Sequence, residues 1–121
     1  MAIITLFLIL WVQNAGVAGG ATAVEAAAKA GMIGFTKSIA RENAKFGITA
    51  NVICPGPVRT PMLEASANST GGKMIEVLKS QTLAGRLGEP EEVAAMAVFL
   101  ASDLAAFITG EVIGVSGGMG V

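Results

Sequence analysis

Between Gly47 and Thr60 the chain reads GITANVICPGPVRT. Ile48 to Cys54 is a short apolar strand, and Pro55-Gly56-Pro57 ends it, because proline cannot continue a ladder and glycine permits a sharp turn. Upstream, residues 21–46 form a long helix, Ala-rich in its first half, with Ile33, Ile39 and Ala40 on an inner face and Lys37, Arg41 and Lys45 turned to water. Gly47 stops it. Downstream, Val58 to Gly88 is more polar, and Ser66, Asn68, Ser69, Thr70, Gly71 and Gly72 mark a flexible break before an amphipathic piece from Lys73 to Ser80. A connection of this length reads as a functional lid or a disordered segment. Glu89-Pro90-Glu91-Glu92 opens the next helix, since proline is tolerated in the first turn and acidic residues suit the positive end of the helix dipole. That helix runs to about Ser102, and Glu111 to Val115 is a last strand between Gly110 and Gly117-Gly118.

The amino-terminal stretch is the ambiguous one. Met1 to Val12 is apolar except for Thr5, with no basic residue ahead of it, as a signal peptide would need. A spanning helix takes about 20 mainly apolar residues, and this run stops at Gln13 and Asn14. Ile3, Ile4, Phe7 and Ile9 favour a strand buried on both faces, as in parallel sheets, over residues 1–15; a membrane or targeting segment is the other reading.

Composition narrows the function. The chain has 121 residues, one domain's worth. It is 53% hydrophobic, with 16 glycines, and only 14% charged where about 25% is usual. So little solvated surface implies self-association or membership of a larger core. A net charge of −1 offers no footprint for nucleic acid and no basic cluster for a membrane surface. The absence of histidine, with Cys54 as the single cysteine, excludes the usual zinc sites, His-based triads and an internal disulfide, and no metal is expected. Tyrosine is absent as well.

Strand, helix, strand, lid, helix, strand is the order of a parallel α/β sheet with right-handed crossovers, whose ligands bind beyond the carboxyl ends of the strands. Those ends fall near Gly16, at Pro55 to Thr60 and at Gly117-Gly118. Four blocks, AAAKAGMIGFTKSIARENA (Ala26 to Ala44), GITANVICPGPVRT, GRLGEPEEVAAMAVFLAS (Gly85 to Ser102) and FITGEVIGVSGGM (Phe107 to Met119), together resemble the C-terminal half of the short-chain dehydrogenase/reductases. The resemblance implies a partial Rossmann-type doubly wound sheet in one truncated domain, an NAD or NADP cofactor, an alcohol or ketone substrate, hydride transfer and a cytoplasmic location.

It also implies roles for residues. Lys29 matches the lysine of the family's Tyr-x-x-x-Lys pair, a catalytic and cofactor-binding position, and Glu25 occupies the tyrosine position. At four residues apart, Glu25 and Lys29 read as an i, i+4 ion pair, with a carboxylate base in altered chemistry as the alternative. Pro55, Gly56, Val58 and Thr60 correspond to the nicotinamide-lining turn, Thr60 offering its hydroxyl to the carboxamide. The family's catalytic serine would fall near Val12 or Gln13, neither of which is serine. Alternatively, Asn14-Ala15-Gly16 corresponds to the family's earlier Asn-Asn-Ala-Gly turn. No G-x-G-x-x-G occurs, so a phosphate seat is lacking, and Gly16–Gly20 and Gly117–Gly120 read as loops.

Residues 61–87 correspond to the family's substrate loop. Arg86, near Glu89 and Glu91, is expected to form a solvated or lid-anchoring salt bridge, with a ligand for a substrate carboxylate as the alternative, Cys54 to be a small core residue, and Met32, Met96 and Met119 to be core filler. The expected partner is a second copy or another family chain. The two functional expectations are an oxidoreductase segment, impaired or inactive alone, and a non-catalytic interaction subunit.

Overall fold

The computed structural model describes residues 5–9, 23–69 and 71–121. Three parallel strands, β1 (Thr5–Ile9), β2 (Thr49–Pro55) and β3 (Val112–Val115), form one sheet in the order β1-β2-β3. Ile53 is in register with Ile9 on one side and Ile113 on the other. A strand with a neighbour on each edge and a helix on each face has no solvated side, and Thr49 to Ile53 are all buried. That is why the segment reads as one apolar run.

Helix α1 (Ala23–Asn43) packs on β2, continues as a 3-10 turn over Ala44–Phe46 and stops at Gly47, whose φ of 74° is left-handed. Among its described side chains the buried positions are Thr36 and Ala40, with Ile33 and Ile39 half-buried and Lys37 and Arg41 exposed, as is Lys45 in the turn that follows, as the periodicity predicts. Thr36 is tolerated there because its hydroxyl donates to the Met32 carbonyl at 2.9 Å. The opposite face of the sheet is covered by α4 (Pro90–Leu100). Ile53, Leu100 and Ala105 form the buried core, flanked by Val93, Met96, Ala97, Ile108, Ile113 and Val115. With α1 and α4 on opposite faces, the sheet is doubly wound.

Asn51, fully buried in β2, organises the approach to β3. Its amide donates to the Ile108 carbonyl at 2.9 Å and its oxygen accepts the Glu111 N–H at 3.1 Å, so both halves of the amide are satisfied.

The lid departs from expectation. Ser66, Asn68 and Ser69 belong to a regular helix, α2 (Pro61–Ser69), followed after a Gly71-Gly72 turn by α3 (Lys73–Ser80). The two helices close on Leu63, Leu78 and Leu87, with Met74 and Ile75 against them. Polar residues on the outer side of α2 disguised an amphipathic helix whose inward positions are Leu63 and Ala67. Pro55 is the last residue of β2 rather than its terminator, because a strand's final residue needs no further ladder N–H. The last helix ends at Leu100 and β3 starts at Val112, one to two residues inside the expected limits.

Of residues 1–15, the strand reading holds at Thr5–Ile9, and the remainder lies outside the described residues, as does the Gly16–Gly20 loop. Among the described residues no helix is long and apolar enough to cross a membrane.

Candidate functional site at the carboxyl end of the sheet

Two strand ends meet at Gly56. Its N–H donates to the Val115 carbonyl at 3.0 Å, and a Cβ there would lie 2.7 Å from the Cα and carbonyl oxygen of Ser116. Only glycine lets the backbones approach so closely. Beside this contact lies a cleft of about 200 Å³, lined by Cys54, Pro55, Gly56, Gly114, Ser116 and Met119, with Gly120 closing it. Burial pushes the Cys54 thiol up from its ordinary range, which keeps it protonated and a poor nucleophile. Cys54 and Met119 are half-buried on this cleft rather than in either core, whereas Met96 is core, as expected.

The turn after Gly56 exposes a specific set of polar groups. Val58 forms a parallel bridge with Gly88 in which the Arg59 N–H donates to the Gly88 carbonyl and the Gly88 N–H donates to the Pro57 carbonyl, each at 2.9 Å. In that pattern the flanking residues make the bonds, so the N–H and carbonyl of Val58 point to the other side of the chain. Thr60 caps α2: its hydroxyl oxygen accepts the Leu63 N–H at 3.2 Å and its carbonyl accepts the Glu64 N–H at 3.0 Å, with Pro61 at the first helical position. The cap uses the hydroxyl as an acceptor and leaves its proton to donate elsewhere.

Lys29 lies in α1, eleven residues before Ala40, on the helix that packs on β2. Ala40 lies 3.8 Å from where a Cβ on Gly110 would sit, and the Gly110 N–H donates to the Ala50 carbonyl at 2.7 Å, which ties Ala40 to the amino end of β2. From Ala40 back to Lys29 the helix rises about 16 Å at 1.5 Å per residue. From Ala50 to Pro55 the strand rises about the same 16 Å. Glu25 stands one turn beyond, in α1; its side chain, and hence the expected Glu25–Lys29 ion pair, lies outside the described residues, as do Val12, Gln13 and Asn14.

Arg86 takes a different partner from those expected. Its guanidinium grips Glu92, Nη2 to Oε1 at 2.7 Å and Nη1 to Oε2 at 2.8 Å, instead of Glu89 or Glu91. Glu92 also accepts the Glu89 N–H at 2.8 Å in a capping box, and with Arg86 this holds its carboxyl down at about 2. The Glu89-x-x-Glu92 spacing carried that signal in the sequence. Glu89 instead receives Arg59, Nε to Oε1 at 3.1 Å, with Glu64 at 3.6 Å from the same guanidinium. Arg59 and its partners span 30 residues and left no local signature. Among the described residues no group of His, Cys, Asp and Glu could hold a metal.

Residues 6–120 match the family described as enoyl-(acyl carrier protein) reductase. The chain is 50% identical over 100 residues to a 3-oxoacyl-(acyl-carrier-protein) reductase of Escherichia coli (strain K12), covering 83% of this chain and 39% of that protein. It is 51% identical over 92 residues to an acetoacetyl-CoA reductase of Shinella zoogloeoides, covering 76% and 37%. Among solved structures, a short-chain dehydrogenase/reductase from Serratia marcescens superposes with a TM-score of 0.81 at 33% identity, over 97% of this chain and 46% of that one. An oxidoreductase of the short-chain dehydrogenase/reductase family from Burkholderia thailandensis gives 0.80 at 37%, over 95% and 43%. The chain thus spans about two fifths of the length of the curated relatives it matches.

Proposed function

The chain belongs to the short-chain dehydrogenase/reductase family, and from that premise we propose that its carboxyl-end wall serves NAD(P)-dependent reduction of a ketone to an alcohol. The substrate class we assign, by similarity to the two curated relatives, is a 3-oxoacyl thioester. A bound nicotinamide supplies the hydride in such a reaction. The protein's part is positional: the Val58 amide and the Thr60 hydroxyl orient the carboxamide, and Lys29 adds a positive charge from α1 that favours an ionised oxygen nearby. Glu25 stands where the family carries its tyrosine, and a carboxyl group is a base at neutral pH where a phenol is an acid. The 121 residues also contain no G-x-G-x-x-G turn for the cofactor's phosphates. Hydride transfer by these residues alone is therefore impaired.

The observation that supports this reading is the turn after Gly56, where the Val58–Gly88 bridge leaves the Val58 amide unused by the ladder and the Thr60 cap leaves the hydroxyl proton available. Titration with NADH and NADPH, followed by Trp11 fluorescence and thermal melting, tests it. A rise of roughly 3 °C is expected once one cofactor exceeds its Kd several-fold. Thr60→Val should abolish the rise and Thr60→Ser should keep it. No rise with either cofactor at millimolar concentration overturns the assignment.

A second reading, an interaction subunit that associates with itself or another family chain, draws on Val98, Leu104 and Phe107, which are 71%, 84% and 102% exposed along α4 and the turn after it. Sedimentation equilibrium showing a monodisperse monomer would sink it.

A further inference from the structure

The chain leaves the sheet at Arg59 and returns at Gly88 through the Val58–Gly88 bridge. Beyond that neck, α2 and α3 close on Leu63, Leu78 and Leu87, and this cluster shares no residue with the sheet core of Ile53, Leu100 and Ala105. Each side of the neck carries one arginine, and both arginines reach the first turn of α4: Arg59 to Glu89 on the outgoing side, Arg86 to Glu92 on the returning side. The capping box ties the Glu92 carboxylate to the backbone of Glu89, whose N–H donates to it. Arg59 also reaches Glu64 within α2, so it ties the lid helix to the same post. Below the neck a cleft of about 240 Å³ separates Ala84 and Arg86 from Val115 and Gly117, bridged by one hydrogen bond from the Ala84 N–H to the Gly117 carbonyl at 3.0 Å.

We propose that Arg59 and Arg86 form an ionic clasp that holds the separately cored lid of α2 and α3 against the carboxyl end of the sheet, and that ionic strength sets how often this lid opens as a unit. Four features support it. The lid has its own hydrophobic cluster, so it can move without unfolding. The neck is one bridge wide, so opening breaks that bridge, the Ala84–Gly117 hydrogen bond and the packing of Leu83 on Gly118. Both arginines and their partners are about half exposed, which makes the pairs accessible to screening by salt. The Arg86 pair is bidentate and part of a network, the arrangement in which a surface pair is worth more than its usual small contribution. The groups facing the clasp are Glu64, Glu89 and Glu92, all acidic, so no second cation competes for the post.

Amide hydrogen exchange read peptide by peptide tests the clasp on the unmodified chain. Raising sodium chloride from about 0.05 M to about 1 M shortens the screening length from roughly 14 Å to 3 Å. Exchange in α2 and α3 should speed up about fivefold while β2 stays protected, the pattern of a sub-global opening. Arg86→Gln should produce the same acceleration at low salt and blunt the further response to salt. Lid exchange indifferent to salt overturns the proposal, as does acceleration of β2 in the same proportion. If Arg86→Gln does not fold, the salt series on the unmodified chain decides alone.

Discussion

The sheet and the lid are both closed by apolar clusters, yet they are held in different ways. Ile53 sits on a strand paired on two edges and covered on two faces, so its neighbours come from β1, β3 and α4. Leu78 sits on an eight-residue helix whose cluster is drawn from within the lid segment itself. The sheet is secured by burial, which water and salt barely touch. The lid is secured to the sheet by a single bridge, the Ala84–Gly117 bond and the two arginine pairs, and the arginine pairs are the part that salt touches readily. The contrast teaches that two regions with similar local packing can differ widely in how independently they open.

The largest break in this comparison comes from the sheet. Ile53→Ala removes a fully buried side chain from the shared core and should cost about 2–5 kcal/mol, lowering the global melting transition and accelerating exchange throughout the chain. Loss of protection confined to β2 would show that the sheet is no more unified than the lid. Gly56→Ala comes next. The added Cβ would meet Ser116 backbone at 2.7 Å, and separating the strand ends should cost about 1–3 kcal/mol. Urea unfolding checks the cost, and an unchanged midpoint would mean that the two ends separate freely.

The smallest effect is acid sensitivity at the clasp. Arg86 and the Glu89 N–H depress the Glu92 carboxyl in the folded chain to about 2, below its ordinary value of 4.5. A lowered folded value contributes stability that is fully present above 4.5 and is lost as the pH falls toward 2. Lid protection factors, exchange corrected for its intrinsic rate at each pH, should therefore fall across that interval, and Glu92→Gln should flatten the response. An equal acid response in the variant would place the sensitivity elsewhere.

The sheet was legible in the sequence because burial on both faces writes a continuous apolar run, as in ITANVIC, and because glycine and proline punctuate its ends. The family blocks pointed to the turn at Pro55 to Thr60 and to Lys29 on α1 as the places to look. The lid was not legible. In PMLEASANS the inward residues Leu63 and Ala67 are outnumbered by small polar ones that favour turns in isolation, and a helix held by tertiary packing overrides them. The Arg86–Glu92 pair was half visible: a capping-box spacing announced Glu92, but nothing in the linear order chose it over Glu89 or Glu91. Arg59 was invisible, since its main partner lies 30 residues away.

The Asn51 amide implies an order of events. Its two hydrogen bonds reach 57 and 60 residues along the chain, to the turn that leads into β3. Everything between, the whole lid included, lies inside the loop those bonds close, and long closures are slow because their entropy is lost before the contacts form. On a growing or refolding chain β3 must therefore be the last strand to dock, and the lid helices have time to assemble first. Until that docking the Asn51 side chain is an unfilled socket in the middle of the sheet, and its filling is the step that locks the third strand in register.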